Sequence, residues 1–133
     1  MTVADVALAF VEAINSGDAD RLSDLMTEHH VFVDADGSEH AGREEMREGW
    51  RGYFAMVPDF RIDVEDTFAR GETALMSGYA SGTFVQDGAL KRENHWMVPA
   101  AWRVVVEDDR VAIWQLYVDP TPMIEIVKRI EAG

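Results

Sequence analysis

The hydrophobic pattern changes period part-way along the chain, and that change constrains the fold more than any motif does. From residue 60 to residue 118 only strand-like runs occur, over 60–68, 73–85, 92–106 and 110–118. They are separated by Arg70-Gly71-Glu72, Gln86-Asp87-Gly88 and Glu107-Asp108-Asp109. Turn residues at so short a spacing predict antiparallel hairpins.

The first part of the chain follows the helical period instead. Val3, Val6, Ala7, Phe10, Val11 and Ile14 recur at three- and four-residue steps, which predicts an amphipathic helix over 3–15 stopped by Ser16-Gly17. Asp18 has the short acceptor side chain of an N-cap, and Leu22, Leu25 and Met26 give a second, shorter helix its apolar face. From His30 the period turns to two, and Val31, Phe32 and Val33 form a strand ending in the turn sequence Asp34-Ala35-Asp36-Gly37. A third helix after Gly42 stacks Met46, Trp50, Tyr53 and Phe54 until Pro58 ends it. Thr121-Pro122, a cap plus a first-turn proline, opens a last helix with Met123, Ile124, Ile126, Val127 and Ile130 on its apolar face. The expected class is α+β: a cone-shaped, curved antiparallel sheet wrapped around three helices of the N-terminal half, plus a short C-terminal helix. The mouth of such a cone is a natural ligand cavity. At 133 residues the chain is one domain, 1–133.

Charge narrows the partners. Twenty-five acidic against twelve basic residues leave a formal charge of −13, and Lys91 and Lys128 are the only lysines. No basic patch is available to replace phosphate counterions, so neither nucleic acid nor an anionic membrane is an expected partner. There is no cysteine, which removes thiol nucleophiles, disulfides and cysteine metal sites together. The N-terminal stretch lacks a positive leader region and is interrupted by Asp5 and Glu12, and no apolar run reaches the ~18 residues of a membrane span. A cytoplasmic location is expected.

Side chains alternate along a strand, so residues 95 to 105 report on two faces. One set is His95, Met97, Pro99, Ala101, Arg103 and Val105; the other is Trp96, Val98, Ala100, Trp102 and Val104. With the first set taken as facing the cavity, the second leaves two tryptophans on the outer face, too apolar for water. That outer face is then expected to pair with a second copy in a two-fold homodimer.

No high-specificity catalytic motif or metal-spaced cluster is present, so no metal and no cofactor is expected. His29 and His30 are adjacent, point to opposite faces of a strand and read as ordinary loop histidines. Asp34 shares the parity of Phe32, so if Phe32 packs inward the carboxylate enters the cavity from a strand end. Aromatic walls disfavour its charged form and would make it a usable general base. Its alternatives are turn hydrogen bonds in its own loop, or an ion pair with Arg103. His95 and Arg103, on the expected inward parity, are candidates to steady developing negative charge. Trp50, Tyr53, Phe54 and Trp114 are core that would line any pocket that opens, with Phe32 and Met97 beside them. Asp119 closes the last strand as a site carboxylate or as a cap.

Ala13-Ile14-Asn15-Ser16-Gly17-Asp18, Phe32-Val33-Asp34-Ala35-Asp36-Gly37-Ser38-Glu39, Gly42-Arg43-Glu44-Glu45, Val57-Pro58-Asp59-Phe60 and Tyr117-Val118-Asp119 together resemble the nuclear transport factor 2-like superfamily. The likeness is to its SnoaL-like branch, with polyketide cyclases, ketosteroid isomerase and limonene epoxide hydrolase, and it covers essentially the whole chain. It implies a deep apolar pocket, a dimer through the sheet and an apolar small-molecule ligand. The proton-shuttling aspartate of the isomerase falls on Asp34, while its two oxyanion donors fall on Phe10 and Ala101, which cannot donate. The hydrolase's catalytic set falls near Ser81, Tyr79 and Leu116, without a surviving pair. The cyclases use a late aspartate, for which Asp119 or Asp34 could serve. The implied activity is acid/base isomerisation or cyclisation of an apolar carbonyl compound, and its alternative a non-catalytic module that holds an apolar ligand.

Overall fold

Local chemistry sets the helix ends in a computed structural model that describes residues 1–133. Helix α1 (Val3–Ser16) opens on a capping box, in which the Thr2 hydroxyl accepts from the Asp5 N–H while the Asp5 carboxylate accepts from the Thr2 N–H, each at 3.0 Å. It closes at Gly17, whose φ of 70° is the left-handed cap conformation. Asp18 caps α2 (Ala19–Ser23) through the N–H groups of Asp20 and Arg21. Leu25 and Met26 do not extend α2 as the spacing predicts. Met26 opens strand β1 (Met26–Val33), pairs with Val111 and is fully buried, so tertiary burial overrides a short helical pattern.

The remaining elements are β2 (Glu39–Ala41), α3 (Arg43–Met56), β3 (Arg61–Arg70), β4 (Thr73–Gln86), β5 (Ala89–Glu107), β6 (Arg110–Val118) and α4 (Thr121–Ala132). The strands form one curved, open sheet in the order β2-β1-β6-β5-β4-β3. The α+β class and the four helices match expectation. The sheet is not wholly antiparallel, because β1 runs parallel to β6, and the three-residue β2 hairpins onto β1 where no strand was expected. Asn15 ties α1 to β3 by imitating a strand neighbour: its amide donates to the Ile62 carbonyl at 2.9 Å and accepts from the Ile62 N–H at 2.8 Å.

The faces of β5 are the reverse of the expected ones. Trp96, Val98, Ala100, Trp102 and Val104 are buried on the concave face, whereas His95, Met97, Pro99, Ala101, Arg103 and Val105 lie on the convex side. The reason lies in the partner strand. Gly82 stands opposite Trp96, Ala80 opposite Val98 and Gly78 opposite Ala100, so β4 keeps small residues along this stretch, and the unbranched Met76 stands opposite Trp102. A Cβ on Gly82 would sit 2.4 Å from Val57 Cγ1, and one on Gly78 only 1.9 Å from the Asp63 carbonyl oxygen, beside the irregular step of the β3–β4 ladder. The five residues expected to form a dimer face therefore belong to the core.

Helix α4 lies over the concave side and packs Met123, Ile126, Val127 and Ile130 against the core, yet none of its residues is buried. Thr121 is its first helical residue, not its cap; the Asp119 carboxylate accepts the Thr121 N–H at 3.0 Å. The Arg129 guanidinium donates to the Glu93 carbonyl at 2.6 Å, on the stretch of β5 that runs beyond its pairing with β6.

Two glycine substitutions separate packing from propensity. Gly78→Ala is expected to lower stability by roughly 1–3 kcal/mol, since the added methyl meets backbone that cannot move aside. Gly52→Ala, in α3 with open space around it, is expected to raise stability by roughly 0.5–1 kcal/mol. Urea unfolding of both variants checks the signs.

Candidate functional site

Curvature of the sheet and the cover of α3 and α4 leave a cavity of about 730 Å3 on the concave side, large enough for a small organic molecule. Its wall is mostly aromatic. Phe32 stands edge-on to Trp50 at 6.2 Å between ring centres, Trp50 edge-on to Tyr53 at 6.0 Å, and Tyr53 edge-on to Phe60 at 5.1 Å. Phe60 leads on to Trp96 and Phe84, while Trp102 stacks on Trp114 at 6.2 Å. Leu116 and Val118 from β6 and Met123, Ile124 and Val127 from α4 complete the apolar lining.

The strand pairing explains how a carboxylate reaches this chamber. Phe32 lies beside Trp114 of β6, and Asp34, two residues on, leaves the end of β1 on the same face. The Asp34-to-Gly37 turn is held by the Asp34 N–H on the Ser38 carbonyl and the Gly37 N–H on the Asp34 carbonyl, both 2.9 Å. One carboxylate oxygen, Oδ1, accepts the Ala35 N–H at 2.7 Å, and Oδ2 has no protein donor. The turn-bonding alternative therefore occupies half of the carboxylate and leaves the other half free to act. The ion-pair alternative does not occur: Arg103 donates to Gln115 at 3.3 Å on the convex face.

Tyr53 of α3 faces the same space. Burial raises the pKa of its phenol, and the nearby charge of Asp34 raises it further, so the hydroxyl is a proton-bearing donor at any physiological pH. The indole N–H groups of Trp50 and Trp96, two of the lining residues, are buried without a partner. Sequence spacing gave no hint of this grouping, which arises from the crossing of α3 over β1.

Of the residues expected at the site, Asp34, Phe32, Trp50, Tyr53, Trp114 and Leu116 line the cavity. Phe10 sits behind the wall, fully buried against Trp114 at 4.9 Å. Phe54 packs on Trp50 outside the chamber. Tyr79, Met97 and Ala101 lie on the convex face, as do His95 and Arg103, so none of the five can meet a ligand in the cavity. Asp119 is exposed, and hydrogen bonds from Thr121 hold its carboxyl below the ordinary range; it closes a turn onto the first residue of α4, whose N-cap is Pro120. His95 instead ends a chain of contacts: its Nδ1 lies 3.0 Å from the Thr83 hydroxyl, and Asp59 accepts both the Thr83 N–H and the hydroxyl at 2.7 Å. Because β3 begins opposite Ser81, Asp59 satisfies an edge donor that β3 does not reach.

Trp96, Trp102, Phe60, Phe84, Met46 and the α4 residues were missed as lining. The alternation of small residues along β4 was the signal that could have found them. His40 and Glu45, also missed, stand at the rim with Lys128 and Glu131.

The SnoaL-like domain family matches residues 7–114. The chain belongs to this family. Among solved structures, a protein of ketosteroid isomerase-like fold from Catenulispora acidiphila, determined with trimethylamine, is 18% identical with a TM-score of 0.79, over 93% of this chain and 92% of that one. An epoxide hydrolase of the limonene type from Mycobacterium tuberculosis is 17% identical at a TM-score of 0.78, over 98% of this chain and 92% of its own. A protein described as a SnoaL-like polyketide cyclase from Shewanella denitrificans is 17% identical at 0.79, over 94% and 96% of the two chains. No curated protein sequence matches. At these identities the solved structures establish the fold of this SnoaL-like chain and leave its chemistry to the residues. No helix is long and apolar enough to cross a membrane.

His30 gives this site a pH limit. It lies in β1, not in a loop, fully buried beside Phe10, with Nδ1 2.7 Å from the Val111 carbonyl and Nε2 unpartnered. Burial lowers its pKa below the ordinary 6.5, against the opposing pull of the Val111 hydrogen bond. The unfolded chain therefore binds a proton here at a pH where the folded chain does not. Stability is intact above about pH 6.5 and falls as pH drops through the folded-state value, by up to about 1.4 kcal/mol per pH unit. Thermal unfolding between pH 7.5 and 5 should show this slope, and His30→Gln should reduce it; an equal slope in the variant would reject the assignment.

Proposed function

We propose that this protein is a small-molecule isomerase or cyclase that moves a proton on an apolar carbonyl compound. The observation that carries the reading is a carboxylate with one free oxygen, entering an aromatic chamber beside a protonated phenol. Asp34 Oδ2 takes the proton from the carbon next to the carbonyl, and the electron pair of that C–H bond moves into the enolate. The Tyr53 hydroxyl donates a hydrogen bond to the enolate oxygen. Asp34, now protonated, returns the proton to a different carbon. The aromatic wall excludes the water that would otherwise compete. His95 and Arg103 have no part in this scheme, since the sheet stands between them and the ligand.

Apolar carbonyl compounds that bind the native state will raise its melting temperature, which supplies candidate substrates. For each, incubation in D2O should exchange the proton next to the carbonyl, followed by NMR. Asp34→Asn is expected to slow that exchange by about 10²-fold or more and Tyr53→Phe by a smaller factor. Exchange unchanged in Asp34→Asn would remove the base; binding without any exchange would leave a module that only holds its ligand.

We further propose a cytoplasmic homodimer joined through the convex sheet face. Phe68, Leu75, Met97 and Tyr117 lie on that face at 70%, 51%, 61% and 48% exposure, an apolar surface that a second copy would cover. Light scattering at micromolar concentration should give twice the 14.9 kDa chain mass, and Met97→Glu should return the monomer. A wild-type monomer at that concentration sinks the dimer.

A further inference from the structure

The rim and the wall of the cavity together say what kind of charge its ligand carries. Three carboxylates, Asp34, Glu45 and Glu131, line the chamber against one ammonium, that of Lys128, and one imidazole, that of His40. Neither Glu45 nor Glu131 has an ion-pair partner; the ion pairs of the chain involve Asp20, Glu44, Glu48, Asp63 and Asp87. With Asp34 set aside as the proposed base, Glu45, in the first turn of α3, and Glu131, near the end of α4, remain as exposed, unpaired carboxylates of the lining. Behind them stand the rings of Phe32, Trp50, Tyr53 and Phe60, whose faces carry partial negative charge.

Each of these features favours a positive ligand and opposes a negative one. The ring faces behind the mouth carry the sign that attracts a cation and opposes an anion. A chain of formal charge −13 adds a long-range field of the same sign. An anion would meet the two rim carboxylates and Asp34, with only Lys128 and the imidazole of His40 to offset three negative charges.

We propose that the ligand is an amine: an apolar body seated in the aromatic chamber, with a protonated amino group directed to the Glu45 and Glu131 carboxylates at the rim. This names the substrate class of the site described above and rests on the cavity being a binding site, though not on Asp34 acting as a base. The amino group sits at the mouth and leaves the carboxylate of Asp34 unencumbered for a carbonyl deeper in the same molecule.

Three probes with one apolar body test the charge alone: 2-(2-naphthyl)ethylamine, 2-(2-naphthyl)ethanol and 2-naphthylacetate, titrated calorimetrically at pH 7 in low and high salt. The amine is expected to bind about tenfold more tightly than the alcohol, the acetate more weakly than either, and added salt should narrow the gap. The double variant Glu45→Gln, Glu131→Gln changes only exposed side chains; it should bring the amine to the level of the alcohol and leave the alcohol unchanged. If the alcohol binds as tightly as the amine, or the preference for the amine survives in the double variant, the amine class is overturned while the cavity stands as a binding site. If none of the three binds, the amine class and the small-molecule reading fall together.

Discussion

Three tryptophans, Trp96, Trp102 and Trp114, must be taken out of water by one face of one sheet, and the rest of the architecture follows from where they go. Each ring buries roughly 150–250 Å2, a gross hydrophobic gain of roughly 4–6 kcal/mol. They fit the concave face because β4 offers Gly82 opposite Trp96 and the slender Met76 opposite Trp102, while α1 brings Phe10 against Trp114. Curvature then leaves space between the rings and α3. The chamber is the volume that the tryptophans surround but do not fill.

The same constraint accounts for the separation of roles between the two faces. The two chargeable side chains that β5 carries in its middle, His95 and Arg103, are on the convex side, where they bond to Thr83 and Gln115, while the buried Asn94 is spent on the Phe84 carbonyl and Gln86. The concave side receives its polar groups from elsewhere: Asp34 from the end of β1, Tyr53 from α3, and the rim charges from α3 and α4. A family defined by this sheet can therefore vary its chemistry by changing strand ends and helices without disturbing the core.

Most of the elements were legible in the sequence because local rules set them. The hairpin turns at Asp87-Gly88 and Asp108-Asp109 take the positive φ values that such residues tolerate, and Gly17 and Asp18 punctuate the first two helices as their chemistry predicts. The candidate base was legible in part: Asp34 shares a face with Phe32 in the sequence, and the structure turns that face to the cavity. The faces of β5 were not. Both parities there are apolar, and polarity alone could not show that His95 and Arg103 belong outside with Met97 and Pro99. Nor could it show that Asp119 is spent on the turn that leads into α4.

Sequence by itself determined the class of fold, the hairpin order and the carboxylate at position 34, because helix period, turn residues and strand alternation act over only a few residues. Tertiary structure decided which side of β5 is inside, that β1 runs parallel to β6, and that Tyr53 meets Asp34. Those depend on pairing between residues far apart in the chain, where a one-residue change of register moves every side chain to the opposite face.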